Sequence, residues 1–121
     1  MTFLDSLQTA LAAEHAAVYL YGALGAQTSQ SAEPGLFLAV SEAYAAHRAA
    51  RDRLVARVTD LDAAPIAAEA VYELPTDLST TALVARRALE LERSCATTYA
   101  FLVANSPSKE RQFAITALTQ T

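Results

Sequence analysis

The sequence predicts an all-helical protein, a four-helix bundle with one long crossover between its second and third helices. Alanine, the residue with the highest helix propensity, occupies 28 of the 121 positions. Long segments carry apolar residues at alternating spacings of three and four, as amphipathic helices do. No stretch alternates polar and apolar residues under β-branched enrichment, so no sheet is predicted. The length fits a single domain over residues 1–121.

Helix 1 is predicted from Phe3 to about Ala26, with Thr2 as its cap. Its apolar seam has heptad spacing and contains Leu4, Leu7, Leu11, Val18 and Gly25. Glu14 and Tyr21 occupy positions of the same seam. A carboxylate there must be neutralised, coordinated or hydrogen-bonded, because an unpaired buried charge is strongly destabilising. What Glu14 faces therefore decides the kind of site that the bundle contains.

Helix 2 is predicted from about Leu36 to Leu61. Its stripe consists of Phe37, Val40, Tyr44, His47, Arg51, Leu54, Val58 and Leu61. Polar groups again lie at the middle of the seam.

A long connection, residues 62–76, follows and contains Pro65 and Pro75. About 15 extended residues reach roughly 50 Å, more than the length of about 39 Å of a 26-residue helix. The connection is therefore long enough to return along the bundle, which would make helices 2 and 3 parallel. The alternative is an up-and-down bundle with a loose central loop.

Helix 3 is predicted from near Asp77 or Ser79 to about Ala104, with Glu92 and Tyr99 inside its apolar band. A short helix 4 is predicted from Pro107 to the end of the chain, capped by Ser106. Three long helices, a shorter fourth and one central crossover give ferritin-like connectivity.

The mid-seam polar residues of three helices are expected to converge. They are Glu14, Tyr21, Tyr44, His47, Arg51, Glu92 and Tyr99. Di-iron carboxylate bundles place a Glu on each of two helices and Glu-x-x-His on each of the other two. Glu14 and Glu92 match the single carboxylates, but Tyr44 stands where the first Glu-x-x-His has its Glu. The corresponding segment of helix 4, Glu110-Arg111-Gln112-Phe113, has no histidine.

The sequence thus favours a metal-free hydrogen-bonded network over a metal site, with no catalytic residue and no cofactor expected. If a metal binds, its ligands are expected to be Glu14, His47 and Glu92, which suit iron or manganese. His15 points away from the seam, and Cys95 is interpreted as a small core residue because no base lies at a suitable spacing.

Composition limits the partners. The net charge of −4 and the lack of a dense basic segment argue against nucleic acid. The longest uncharged stretch, residues 15–32, is too polar to span a membrane, and the N-terminus does not have the pattern of a signal peptide. The lone Cys95 fits a reducing compartment, so a cytoplasmic protein is expected.

Three segments together resemble a known family: AEHAAVYLYG from Ala13, AHRAARD from Ala46, and Tyr72-Glu73-Leu74-Pro75. They are similar to the alanine-rich ferritin-like proteins classed as a domain of unknown function, over about Leu7 to Leu118. The resemblance implies a ferritin-like bundle, often dimeric, with no assigned activity and with a last helix longer than this sequence provides.

The favoured function is a structural or protein-interaction module, expected to be a homodimer, with Phe3, Phe101 and Phe113 as candidate surface residues. One alternative is an oxidase-like iron or manganese protein that uses Glu14, His47 and Glu92. Another is a small-molecule binder. Its pocket would be lined by Tyr21, Tyr44 and Tyr99, with Arg51 holding an anion.

Overall fold

The structure, a computed structural model, describes residues 2–120. This part of the chain forms four helices and no strand. They are α1 (Phe3–Ala26), α2 (Pro34–Asp60), α3 (Thr81–Ala104) and α4 (Arg111–Thr119). The all-helical prediction is confirmed. None of these helices has the length and apolar character needed to cross a bilayer.

The bounds of α1 agree with the prediction because its capping box forms. The Thr2 hydroxyl accepts the Asp5 N–H at 3.0 Å, and the Asp5 carboxylate accepts the Thr2 N–H at 3.1 Å. Helix α2 begins earlier than predicted, with Pro34 in its first turn, where a missing N–H does no harm. Helix α3 begins later, because the Thr80 hydroxyl caps it by accepting the Leu83 N–H.

Helix α4 begins at Arg111, so the predicted start at Pro107 is wrong. The Ser106 hydroxyl donates to the Leu102 carbonyl at 2.5 Å and therefore ends α3 instead of capping α4. A turn follows, in which the Glu110 N–H donates to the Pro107 carbonyl at 2.9 Å. The predicted end of this helix, at residue 121, lies outside the described residues.

Helix α1 lies at the centre and packs against both α2 and α3. Near its beginning, Leu7 and Leu11 share a core cluster with residues from the ends of α2 and α3, Val58 and Leu102. Near its end, a second cluster joins it to the beginnings of the same two helices at Val40 and Val84. Helices α2 and α3 are therefore parallel to each other and antiparallel to α1, as the crossover prediction requires.

The crossover, residues 61–80, is an extended segment fixed along α1. The Gln8 side chain donates to the Ala64 carbonyl and accepts the Ile66 N–H, both at 2.8 Å. Further along, the rings of Tyr19 and Tyr72 lie 5.4 Å apart. The contacts advance along α1 as the crossover proceeds, so the segment runs back along the bundle and is not a loose loop.

Helix α4 covers only one end of the bundle. Ala114 and Ala117 are buried there, while an ion pair between Arg57 and Glu110 joins α4 to the end of α2. Beside α4, a cavity of about 340 Å³ lies between α2 and α3. Glu14, His47 and Glu92 all contribute to its wall, so the open side of the bundle gives access to the polar seam.

Candidate functional site

The centre of the bundle contains a histidine held between two carboxylates. Each of the three residues comes from the middle of a different helix: Glu14 from α1, His47 from α2 and Glu92 from α3. Nδ1 of His47 lies 2.5 Å from Oε2 of Glu14, and Nε2 lies 2.9 Å from Oε1 of Glu92. Only 1 % of Glu14 and 5 % of His47 is exposed. The predicted convergence of these three residues is thus what the structure shows.

Two tyrosines complete this group, which we call the Glu–His–Glu cluster (Glu14, Tyr21, His47, Glu92, Tyr99). The Tyr99 hydroxyl donates to Oε1 of Glu14 at 2.8 Å. The Tyr21 hydroxyl donates to Oε1 of Glu92 at 2.8 Å, and its ring stacks on the His47 ring with centroids 5.2 Å apart. Both carboxylates therefore accept hydrogen bonds from a tyrosine and from the histidine.

The carboxylates stabilise the protonated form of His47. Burial alone would lower the pKa of His47, but the hydrogen bonds and the charges of Glu14 and Glu92 outweigh it and raise the pKa to about 9. The hydrogen bond from His47 lowers the pKa of Glu92 against the opposing effect of burial. At neutral pH the histidine is an imidazolium whose two N–H groups both donate to carboxylates.

The neighbouring phenols and thiol stay protonated. Burial, followed by the hydrogen bond to Glu92, raises the pKa of Tyr21, while burial and the charge of Glu14 raise that of Tyr99. Burial also raises the pKa of the Cys95 thiol to about 12. These groups are hydrogen-bond donors near neutral pH and are not nucleophiles.

Tyr44 and Arg51 do not join the cluster, so their predicted convergence is wrong. Nη2 of Arg51 lies 3.1 Å from Oδ1 of its neighbour Asp52, and Tyr44 lies beneath the guanidinium of Arg48 at 5.6 Å. A helix turns about 100° per residue, so both residues are rotated about 40–60° from His47, towards the crossover. Within the cluster, two carboxylates therefore face one imidazolium, and Arg51 does not contribute its charge.

Sequence reasoning missed how close Cys95 lies to the cluster. One ligand atom each from Glu14, His47 and Cys95 can be chosen so that all three lie within 4.8 Å of one another. Cys95 is buried, as predicted for a core residue. Its spacing of three residues after Glu92 and four before Tyr99 places it on the same helix face, a signal that was available in the sequence.

The other sequence candidates lie apart from this centre. His15 is hydrogen-bonded through Nε2 to the Ile66 carbonyl at 2.9 Å, on the crossover side. Of the three phenylalanines, Phe101 is 53 % exposed, whereas Phe3 and Phe113 pack partly buried against the core. The predicted phenylalanine surface is therefore reduced to a single residue.

The fold and the cluster define a class of protein: a helical bundle with one long crossover and a buried histidine between two carboxylates. A family model described as "Domain of unknown function (DUF4439)" matches residues 6–121, and the chain belongs to this family. The structure is similar to the crystal structure of a conserved hypothetical protein, rv2844, from Mycobacterium tuberculosis. The two chains are 34 % identical, and the match covers 96 % of this chain and 80 % of the other with a TM-score of 0.84. No curated protein matches the sequence.

Proposed function

We propose that this chain is a ferritin-like bundle without a metal centre, acting as a structural and self-association module. The observation that supports the proposal is the position of His47, whose two ring nitrogens both face carboxylates at hydrogen-bond distance. With its pKa raised to about 9, His47 carries a proton on each ring nitrogen at neutral pH, and a metal ion would have to displace one of these protons in order to bind. In this proposal the cluster holds the three helices in register at one level of the bundle.

The chemistry of a di-iron centre is also incomplete in the described residues. Where such bundles use Glu-x-x-His on two helices, α2 contributes only His47, and residues 110–113 contribute only Glu110. Glu110 is occupied by the ion pair with Arg57 at the end of the bundle. The proposed role of the Glu–His–Glu cluster is therefore to stabilise the fold and to fix the register of the helices.

The partner in this proposal is a second copy of the chain, bound through the outer face of α2. This face borders the cavity between α2 and α3, and Ala39, Glu42, Ala46 and Arg53 also line that cavity. It consists of exposed residues at spacings of three and four: Ala39, Glu42, Ala46, Ala49, Arg53 and Ala56. Within residues 2–120 neither Glu42 nor Arg53 forms an ion pair. Small residues in between let two helices approach closely.

Glu42 and Arg53, the two charged residues of this face, lie at equal distances along α2 from the midpoint between Ala46 and Ala49. In an antiparallel pair of α2 helices with a two-fold axis at that midpoint, Glu42 of each copy faces Arg53 of the other. The alanines then face alanines. A two-fold interface is formed by one surface that is complementary to itself, which this arrangement satisfies.

Sedimentation velocity at micromolar concentrations tests the pairing. We expect a dimer for the natural chain, monomers for Glu42→Arg and for Arg53→Glu, and a restored dimer when the two changes are combined, since the pair is then reversed. Circular dichroism checks that each variant keeps its helix content. A monomeric natural chain, or single variants that remain dimeric, would contradict this interface.

A second candidate function is metal binding, favoured by the proximity of Cys95 to Glu14 and His47. A thiolate ligand favours zinc over the iron or manganese expected from the sequence. Glu92 would then accept a hydrogen bond from the outer nitrogen of His47, as carboxylates do behind metal-bound histidines.

Metal analysis separates the two candidates. Protein purified without chelator, and again after anaerobic loading with Fe(II), Mn(II) or Zn(II), is analysed by mass spectrometry. The metal-free proposal expects well below one equivalent in every sample. About one equivalent of zinc that is lost in Cys95→Ser, while Cys95→Ser keeps its helix content, would favour the second candidate instead.

A further inference from the structure

A second cavity, on the opposite side of α2 from the outer face, lies beneath the crossover. Its volume is about 320 Å³, at the small end of the range for ligand sites. Its wall includes three tyrosines and two opposite charges: Tyr19, Tyr44, Tyr72, Arg51 and Glu69. We propose that this crossover pocket binds a small aromatic zwitterion, with its ring among the tyrosines and its carboxylate at Arg51.

The three rings come from three different segments, α1, α2 and the crossover. Tyr19 and Tyr72 meet at 5.4 Å with a tilt of 56°, while Tyr44 lies across the pocket from α2. Gly22 contributes no side chain to the wall, and a Cβ added there would lie 3.8 Å from Cε2 of Tyr44. A methyl group at this position would therefore touch the Tyr44 ring without a clash and would occupy part of the pocket.

The pocket wall carries one charge of each sign, Arg51 and Glu69, and a ligand carboxylate would share the guanidinium of Arg51 with Asp52. Arg51 directs Nε and Nη2 at the same oxygen of Asp52, and its Nη1 makes no hydrogen bond within residues 2–120. The Glu69 carboxylate likewise has no ion-pair partner in the described chain. A simple anion would meet Glu69 and a simple cation would meet Arg51. A ligand with a carboxylate and an ammonium group complements both.

The contacts that fix the crossover do not involve Tyr44 and Arg51, the two residues that α2 contributes to the pocket wall. Gln8, His15 and Tyr19, all on α1, supply the hydrogen bonds and the ring contact that fix the crossover. Arg51 and Tyr44 lie on α2 and take no part in them. Tyr44 packs against the core cluster that contains Val40 and Val84, and Arg51 pairs with Asp52, yet both also line the pocket, where a ligand would contact them together.

Titration of the full chain with L-tryptophan, followed by calorimetry and two-dimensional NMR, tests the pocket. We expect one saturable site with a Kd of about 0.3 to 1 mM, in keeping with about 15 non-hydrogen atoms of ordinary ligand efficiency. Arg51→Leu should weaken binding at least tenfold, whereas Arg86→Leu, an exposed arginine on α3, should leave it unchanged.

Gly22→Ala provides a variant that stays folded, because alanine is the better helix former. We expect it to raise the melting temperature and to weaken tryptophan binding. Tryptamine and indole-3-propionate, each lacking one charge, should bind at least tenfold more weakly than tryptophan. The proposal is overturned if no saturable binding appears up to 10 mM, if Arg51→Leu behaves like Arg86→Leu, or if indole-3-propionate binds as tightly as tryptophan.

Discussion

Nδ1 of His47 and Oε2 of Glu14 meet at 2.5 Å in the middle of the bundle, although the two residues are 33 positions apart in the chain. The contact joins α1 to α2 at buried positions in the middle of both helices, and Glu92 extends it to α3. Because a buried charge is tolerated only with a partner, helix register and side-chain protonation are coupled at this point.

Glu14→Ala should strongly destabilise the fold. The change leaves an N–H of His47 and the hydroxyl of Tyr99 without their acceptor, and breaking a buried charge pair typically costs about 3–5 kcal/mol. Urea unfolding followed by circular dichroism measures the loss. Glu73→Ala, at an exposed position of the crossover, is the control and should change the free energy of unfolding by less than about 0.5 kcal/mol. Equal effects of the two changes would contradict the structural role of Glu14.

The two tyrosine hydroxyls should differ in their contribution to stability. Tyr99→Phe removes a hydrogen bond to buried Glu14, and we expect a loss of about 1.5–3 kcal/mol, the range for bonds to charged groups. Tyr21→Phe should have a smaller effect, because a water molecule can replace its hydroxyl at the partly exposed Glu92. Chemical unfolding of both variants checks this order. A larger loss for Tyr21→Phe than for Tyr99→Phe would contradict this order.

Stability should be greatest between about pH 4.5 and 6.5. Since folding raises the pKa of His47 from 6.5 to about 9, its stabilisation is fully present below 6.5 and is lost as the pH rises through 9. Such a rise corresponds to about 3 kcal/mol. Folding lowers the pKa of Glu92 from 4.5, so that contribution is present above 4.5 and is lost at lower pH. Urea midpoints across pH 4–10 measure this profile.

His47→Gln is the control for the alkaline limb. It removes the titrating group, so its stability should change little between pH 6.5 and 9, whatever its absolute value. A natural chain whose stability is equally flat over this interval would contradict the raised pKa.

The short helix α4 should depend on a single ion pair. Arg57 pairs with Glu110 and lies 5.6 Å from the centroid of the Phe113 ring, so Arg57→Ala removes both contacts. We expect amide hydrogen exchange in α4 to accelerate at least tenfold, while amides of α1 keep their protection. Arg86→Ala, exposed on α3, is the matched control. Unchanged exchange in α4 would show that burial of Ala114 and Ala117 is sufficient to hold it.

The sequence was most informative where periodicity and capping act locally. The bounds of α1 followed from the Thr2–Asp5 box, and the convergence of Glu14, His47 and Glu92 followed from their mid-seam positions. The length of the crossover was sufficient to predict parallel α2 and α3. The first of these features depends on residues close together in the chain, the second on helical periodicity and the third on a length.

The features that the sequence did not predict depend on the rotation of each helix about its own axis and on tertiary contacts. Tyr44 and Arg51 belong to the same broad stripe of α2 as His47. Only one side of the helix faces the bundle centre, however, and His47 lies on that side. The start of α4 depended on whether Ser106 would cap the next helix or close the previous one, and its bond to Leu102 favoured the latter. The helix face that Cys95 shares with Glu92 and Tyr99 was visible in the sequence, but its proximity to Glu14 and His47 depends on how the three helices pack.

The protonation state of His47 tests the central claim most directly. In protein labelled with ¹⁵N at histidine, the ring nitrogen shifts can be followed from pH 5 to 10, with and without equimolar Zn(II), Fe(II) or Mn(II). The metal-free network predicts that His47 stays doubly protonated at pH 7.5, loses a proton only near pH 9 and does not respond to metal. A neutral ring at pH 7.5, or shifts that change on stoichiometric addition of metal, would contradict the claim and identify the cluster as a metal site.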